Sequence, residues 1–161
     1  MKTVVPLSTD GINELIKQLN DFKEWQKKKA AELAERLAEY GADVARVKFA
    51  AGSHLGIRDE KVTVEPIRDG YVVKADGKSV LFLEFGAGIT YGFGHPEAQE
   101  HRMGPGTYPD GKGHWNSPNG WWLPVSAGGG HTYGNPPTMA MYEARKRIEQ
   151  DLPRIAREVF R

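Results

Sequence analysis

Between Gly86 and Pro137 the chain gathers 13 of its 19 glycines, 7 of its 10 prolines and 3 of its 4 tryptophans. Glycine loses the most backbone entropy on folding and proline withdraws an N–H donor, so this tract is closed to long helices and central strands. Regular structure is therefore confined to the two flanks. The tract does not read as a disordered linker either. Tyr91, Phe93, Tyr108, Trp115, Trp121, Trp122 and Tyr133 are large rings that must bury against something, whereas disordered segments are poor in aromatics. Loops this long inside a compact domain are uncommon and usually functional.

Ahead of the tract, Ser8, Thr9 and Asp10 offer N-cap oxygens, and Ile12, Leu15, Ile16, Leu19, Phe22, Leu33, Ala34, Leu37 and Ala38 follow at helical spacing. The pattern predicts one long helix, or two collinear ones, ending at Gly41 as a left-handed C-cap. The run Lys27-Lys28-Lys29 reads as a solvated helix face, with Glu24, Glu32 and Glu35 beside it. From Val44 to Phe49 apolar and polar residues alternate, which is a strand pattern. Val62 to Ile67, Tyr71 to Ala75 and Ser79 to Phe85 are rich in β-branched and aromatic residues. The connectors Arg68-Asp69-Gly70 and Asp76-Gly77-Lys78 carry Asp-Gly steps that suit hairpin turns, so a three-stranded antiparallel meander is expected.

Behind the tract, Pro136-Pro137 opens a terminal helix with Met141, Ala144, Ile148, Leu152, Ile155, Ala156 and Val159 on one side. An interior proline costs about 3 kcal/mol, so Pro153 is expected to kink this helix or to restart it with Asp151 as a new cap. The expected fold is α+β in one domain. It comprises an N-terminal helical region over 1–41, a small antiparallel β-meander of three to four strands within 43–85, the long Gly/Pro/aromatic loop 86–137, and a C-terminal helix over 138–161.

Global composition excludes several classes. With 161 residues, 22 basic and 21 acidic side chains and a net charge of +1, the chain lacks the concentrated basic excess of a duplex-binding protein. The absence of cysteine removes disulfides, thiolate nucleophiles and cysteine zinc sites. The amino-terminal MKTVVPLSTDG has too short an apolar stretch for a signal peptide, and no segment approaches the length of a bilayer span, so a cytosolic product is expected.

Residues able to do chemistry are few. His95, His101, His114 and His131 lie in the tract near Glu97, Glu100 and Asp110, but their separations match no standard metal site. Hydrogen bonding to loop backbone is the expected role, with no metal and no cofactor. Glu84 is the lone carboxylate of the apolar run VLFLEF. Catalytic acids usually come as two groups with separated pKa values, so Glu84 reads better as a structural acceptor, for N–H groups of the following glycine turn or for an arginine of a neighbouring subunit. Gly86 to Gly88 and Gly128 to Gly130 lack the Lys-Ser/Thr of a phosphate loop, and no Gly-x-Ser-x-Gly elbow occurs. Trp121-Trp122 has the rings to stack on sugars or bases, but without a basic stripe a protein contact is the better reading.

Three passages, GADVARVKFA, VLFLEFGAGITYG and GNPPTMAMYEARKRIEQDLPRIAREVF, together resemble a tailed-phage family of head-to-tail joining proteins, gene-product-ten-like and also called neck or tail completion proteins. Glu84, Phe85, Gly86 and Gly88 match the family's "(I/V)EFG(T/A)G" motif, and Pro137, Met139 and Ala144 match the start of its terminal helix. Ala87 and Ala140 stand where threonine and a second proline are frequent, and the loop is much longer. The resemblance implies a non-enzymatic structural protein of the virion neck, assembled in the bacterial host cytoplasm. It implies a homo-oligomeric ring, commonly a hexamer, touching other neck proteins and the tail terminator or tail tube, with DNA passing through without sequence-specific binding and no membrane contact. Expected assembly contacts are Glu84, Phe85, Gly86, Gly88, Tyr91, Phe93, Trp115, Trp121, Trp122, Tyr133, Met139 and Met141. Two other classes stay open: a small hydrolase pairing Glu84 with His95 or His131, and a glycan- or peptide-binding module built on Trp121 and Trp122.

Overall fold

The structure, a computed structural model, describes residues 8–52, 58–91, 94–103 and 117–161. It opens with one uninterrupted helix, α1 (Thr9–Ala51), of 43 residues. At 1.5 Å per residue this is a rod of roughly 65 Å. Ser8 caps it, its hydroxyl accepting from the Gly11 N–H at 3.2 Å, and the Gly52 N–H closes it on the Phe49 carbonyl. Lys27 pairs with Glu24 and Lys29 with Glu32, so the lysine run lies on a charged helix face as expected.

Two expectations fail along α1. Gly41 does not end the helix, and Val44 to Phe49 is not a strand but its last turns. The alternation there is real, yet Ala38, Ala42, Ala45 and Phe49 also recur at three- and four-residue intervals, and all four are buried. Helical periodicity prevails because a partner helix covers that face. This partner is α3 (Ala140–Val159), which runs antiparallel to α1: Ala140 and Ala144 lie in the cluster with Ala42, Ala45 and Phe49, the Tyr40 hydroxyl donates to Asp151 at 2.5 Å, and Phe160 meets Trp25 edge-on at 5.9 Å. At Gly41 the two helices approach closely, since a Cβ there would stand 2.5 Å from Ile148 Cδ1. The glycine makes room for a side chain; it does not turn the backbone.

β1 (Lys61–Ile67) and β2 (Gly70–Asp76) form an antiparallel hairpin in the register Val64↔Val73 and Val62↔Ala75. Those four side chains share one face and pack on the helix core, as period-two alternation requires. The third strand of the expected meander is absent. Val80–Phe85 is instead a short helix, α2, so the main sheet has two strands. A run of six with five apolar residues is compatible with either form. What decides is Asp59, whose carboxylate accepts from the Lys78 N–H (2.8 Å), the Ser79 N–H (2.9 Å) and the Ser79 hydroxyl (2.7 Å), satisfying donors at the start of a helical turn. The Leu83 N–H then bonds to the Ser79 carbonyl, and Val80 and Leu83 enter the main core with Phe49 and Val62.

Hydrogen bonds from Ser79 and the two backbone N–H groups hold the Asp59 carboxyl down at about 2, against an ordinary 3.8. A depressed folded-state pKa contributes stability that is complete above pH 4 and is lost as pH falls towards 2. The difference in urea midpoint between wild type and Asp59→Ala is therefore expected to be largest near neutrality and to shrink between pH 4 and pH 2. An unchanging difference across that window would exclude this role for the carboxylate.

Beyond α2 the tract is partly regular. Trp121–Trp122 (β3) pairs antiparallel with His131–Thr132 (β4), a second two-stranded sheet, with a 3-10 turn at Val125–Ala127 between them. The α+β class stands, with paired strands in two separate pairs. Pro153 lies inside α3 without ending it, and Asp151 serves Tyr40 and Arg154 and caps no new helix. No helix among the described residues is long and apolar enough to cross a membrane.

Candidate functional site

The end of α2 and the start of α3 meet at Glu84. Met139, the residue preceding α3, has φ 52° and supplies no side-chain cap. The free N–H groups of the first turn turn instead to Glu84: Met141 N–H donates to Oε2 at 2.9 Å and Tyr142 N–H to Oε1 at 3.0 Å. A carboxylate at a helix N-terminus satisfies donors and complements the helix dipole together. His95 supplies a third bond. Its Nδ1 accepts from the Glu97 N–H at 3.1 Å, which assigns the proton to Nε2, and Nε2 donates to Glu84 Oε1 at 3.1 Å. Both side chains are buried, with the imidazole between the rings of Phe85 (4.4 Å) and Tyr142 (5.5 Å). Glu84 is thus a structural acceptor as the sequence suggests, but its donors are His95 and the first turn of α3, and not the glycine turn beside it.

Next to Glu84 the long tract is clasped at its neck. Ala87 and Asn135 exchange both backbone hydrogen bonds, at 2.9 and 3.0 Å, and the Asn135 amide donates to the Phe82 carbonyl at 2.8 Å. The Thr138 and Met139 N–H groups donate to the carbonyls of Leu83 and Glu84. Gly86 and Gly88 both have φ near +79°, and a Cβ on Gly88 would lie 2.3 Å from the Tyr133 carbonyl oxygen. The clasp therefore needs glycine at that position for conformation and for space. Phe85, Ala87, Ala98 and Met103 form a small second core beneath it, with Phe82 and Trp121 against its side.

A cleft of about 450 Å³ opens between β2, α2 and the first turn of α3, with Leu81, Phe85, Met141 and Tyr142 on its walls. Glu84 and His95 reach it, but both are bonded to their own chain, and Arg145 at the rim is paired with Glu97. His131, the other histidine considered as a partner for Glu84, lies in β4 against Trp122 and Tyr133. Among the described residues no group of three or more His, Asp or Glu is placed to hold a metal ion.

The twelve residues expected to make assembly contacts divide accordingly. Glu84, Phe85, Gly86 and Gly88 build the clasp; Met139 precedes α3 and Met141 packs half-buried on the main core; Trp121 faces inward onto the second core. Tyr91, Trp122 and Tyr133 are exposed. Phe93 and Trp115 lie outside the described residues, as do His114 and Asp110. Strand alternation sends Trp121 and Trp122 to opposite faces, so the tandem does not make one stacking platform.

The sequence reading overlooked two features. Asn135 holds the clasp. The other is the first part of α1, where Ile12, Ile16, Leu19 and Phe22 form an apolar stripe, each side chain half or more exposed. α3 has 20 residues against 43 and reaches only as far as Trp25, through Phe160. The mismatch in length between the two apolar helical patterns was the available signal.

Comparison with protein-family models, curated proteins and solved structures returns no match.

Proposed function

We propose that this chain is a structural subunit that works by assembly, in the role the motif resemblance implies: a neck component joining the DNA-filled head of a tailed phage to its tail, as an oligomeric ring expected to be hexameric. The observation that carries the reading is the bare arm of α1. An amphipathic helix gains most of its stability from packing its apolar face, so a rigid arm presenting Ile12, Ile16, Leu19 and Phe22 is built for another surface. Exposed Tyr91, Trp122 and Tyr133 add large rings of the kind that anchor protein contacts. A near-neutral chain suits a ring through which DNA slides.

Purified protein is expected to show a concentration-dependent mass above its monomer value of 17.9 kDa in sedimentation equilibrium, and ring-shaped particles in electron micrographs. Added to purified heads and tails that lack it, the protein should restore joined particles. A strict monomer at the highest attainable concentration, together with failure to join heads to tails, would overturn the reading.

One observation favours a hydrolase as the second reading: Glu84 and His95 are in direct contact at 3.1 Å. The same geometry weighs against it, since Glu84 accepts three hydrogen bonds from its own chain and both His95 nitrogens are bonded. The two readings separate on the stability and turnover of Glu84 variants.

A further inference from the structure

Another exposed apolar surface lies on the β3–β4 hairpin. Trp122 and His131 are cross-strand partners with their rings edge-on at 5.2 Å, and Tyr133, two residues on, meets His131 at 5.0 Å. Trp122 is 76% exposed and Val125, in the turn between the strands, 92%. The rings brace one another, so little side-chain entropy is left to lose when they are covered. Residues 117–142 contain no Asp, Glu, Lys or Arg, so the hairpin brings none of these charged side chains to the face. It can be desolvated at low cost only by another uncharged, apolar surface.

The arm of α1 is such a surface, with only apolar side chains along its stripe. The two cannot meet within one molecule. The hairpin is fastened to the α2 end of the fold through Trp121 and the clasp, where the C-terminal turns of α1 also lie. From Leu19 to Phe49 the helix rises roughly 45 Å away from the arm. Taking about 200 Å² for a large side chain, each surface leaves roughly 400 Å² of exposed side chain, and together they approach the roughly 1,000 Å² at which a contact becomes specific once flanking atoms are added. Two unlike surfaces at opposite ends of one chain, matched in size and in apolar character, describe a head-to-tail contact between copies.

We propose that the Ile12–Phe22 stripe of one copy docks on the Trp122–His131–Tyr133 face of a second copy. This rests on the assembly reading above and supplies the contact that reading leaves open. Both surfaces are exposed in the single chain, so Leu19→Glu and Trp122→Ser each remove a contact without disturbing the core, as unchanged far-UV circular dichroism should verify. Each variant alone lacks one half of the contact and is expected to sediment as a monomer where wild type is oligomeric. Mixed in equal amounts, the intact arm of Trp122→Ser and the intact hairpin of Leu19→Glu should restore one contact per pair, giving a heterodimer and no larger species. Oligomers formed by either variant alone, as arm-to-arm pairing would give for Trp122→Ser, or a mixture that stays monomeric, would overturn the docking while leaving the assembly reading to its own test. Wild type that remains monomeric in solution would overturn it as well, and the joining of heads to tails would then decide the assembly reading separately.

Discussion

Replacing Glu84 by alanine is expected to lower the unfolding free energy by about 4 kcal/mol, a large part of the 5–15 kcal/mol that is typical of a domain. The truncation leaves the Met141 and Tyr142 N–H groups and the Nε2 proton of a buried His95 without their acceptor. A buried donor left unpaired costs about 1–3 kcal/mol. Nothing nearby replaces the carboxylate, because Met139, in the left-handed region, supplies no side-chain cap. Glu84→Gln keeps the shape and one acceptor oxygen while losing the charge, so it should fall between, at about 2 kcal/mol. Urea denaturation followed by far-UV circular dichroism measures both. A catalytic acid predicts the opposite pattern: Glu84→Gln would fold with undiminished stability and lose only turnover. A midpoint for Glu84→Ala within error of wild type would mean that the carboxylate does not hold α2 and α3 together.

Gly88→Ala is expected to open the neck of the tract. Holding an L-residue at φ +79° costs about 1–2 kcal/mol, and the added methyl would also stand 2.3 Å from the Tyr133 carbonyl oxygen, a backbone atom that moves only with the chain around it. The clasp should give way first, with a total loss of about 3 kcal/mol confined largely to the tract. Hydrogen exchange reads this directly. The Ala87 and Asn135 amides, which bond to each other's carbonyls, should lose protection by at least about tenfold while amides of the α1–α3 core keep theirs. Unchanged protection at Ala87 and Asn135 would show that the glycine is not needed there. Gly134→Ala serves as a companion, since its added carbon would strike the Ala87 carbonyl oxygen from the other side.

Both residues belong to the EFGAG passage that stands out in the sequence, yet their roles were only half legible there. The glycines suggested a turn, and the isolated carboxylate suggested an acceptor of backbone N–H groups. Two of the carboxylate's three donors, Met141 and Tyr142, stand 57 and 58 positions further on, and no local pattern points across such a distance. Gly41 was misread for a similar reason. A glycine after a helical run usually ends the helix, and only Ile148 on another element shows that it is instead a point of close approach. The strand reading of VLFLEF rested on β-branched and aromatic content, but Asp59, some twenty residues earlier, supplies the acceptor for a helical turn.

The sequence by itself determined the α+β class, the β1–β2 hairpin, the two terminal helices, and the exclusion of long regular elements from the glycine-rich tract. Each follows from short-range properties: side-chain periodicity, turn geometry and backbone entropy. Tertiary structure alone decided that α1 runs unbroken through Gly41, that VLFLEF coils into α2, that Glu84 caps α3, and that the apolar stripe of the arm extends past its partner helix. These are contests between local conformations of similar free energy, and they are settled by which distant group arrives to accept a hydrogen bond or to cover a methyl group.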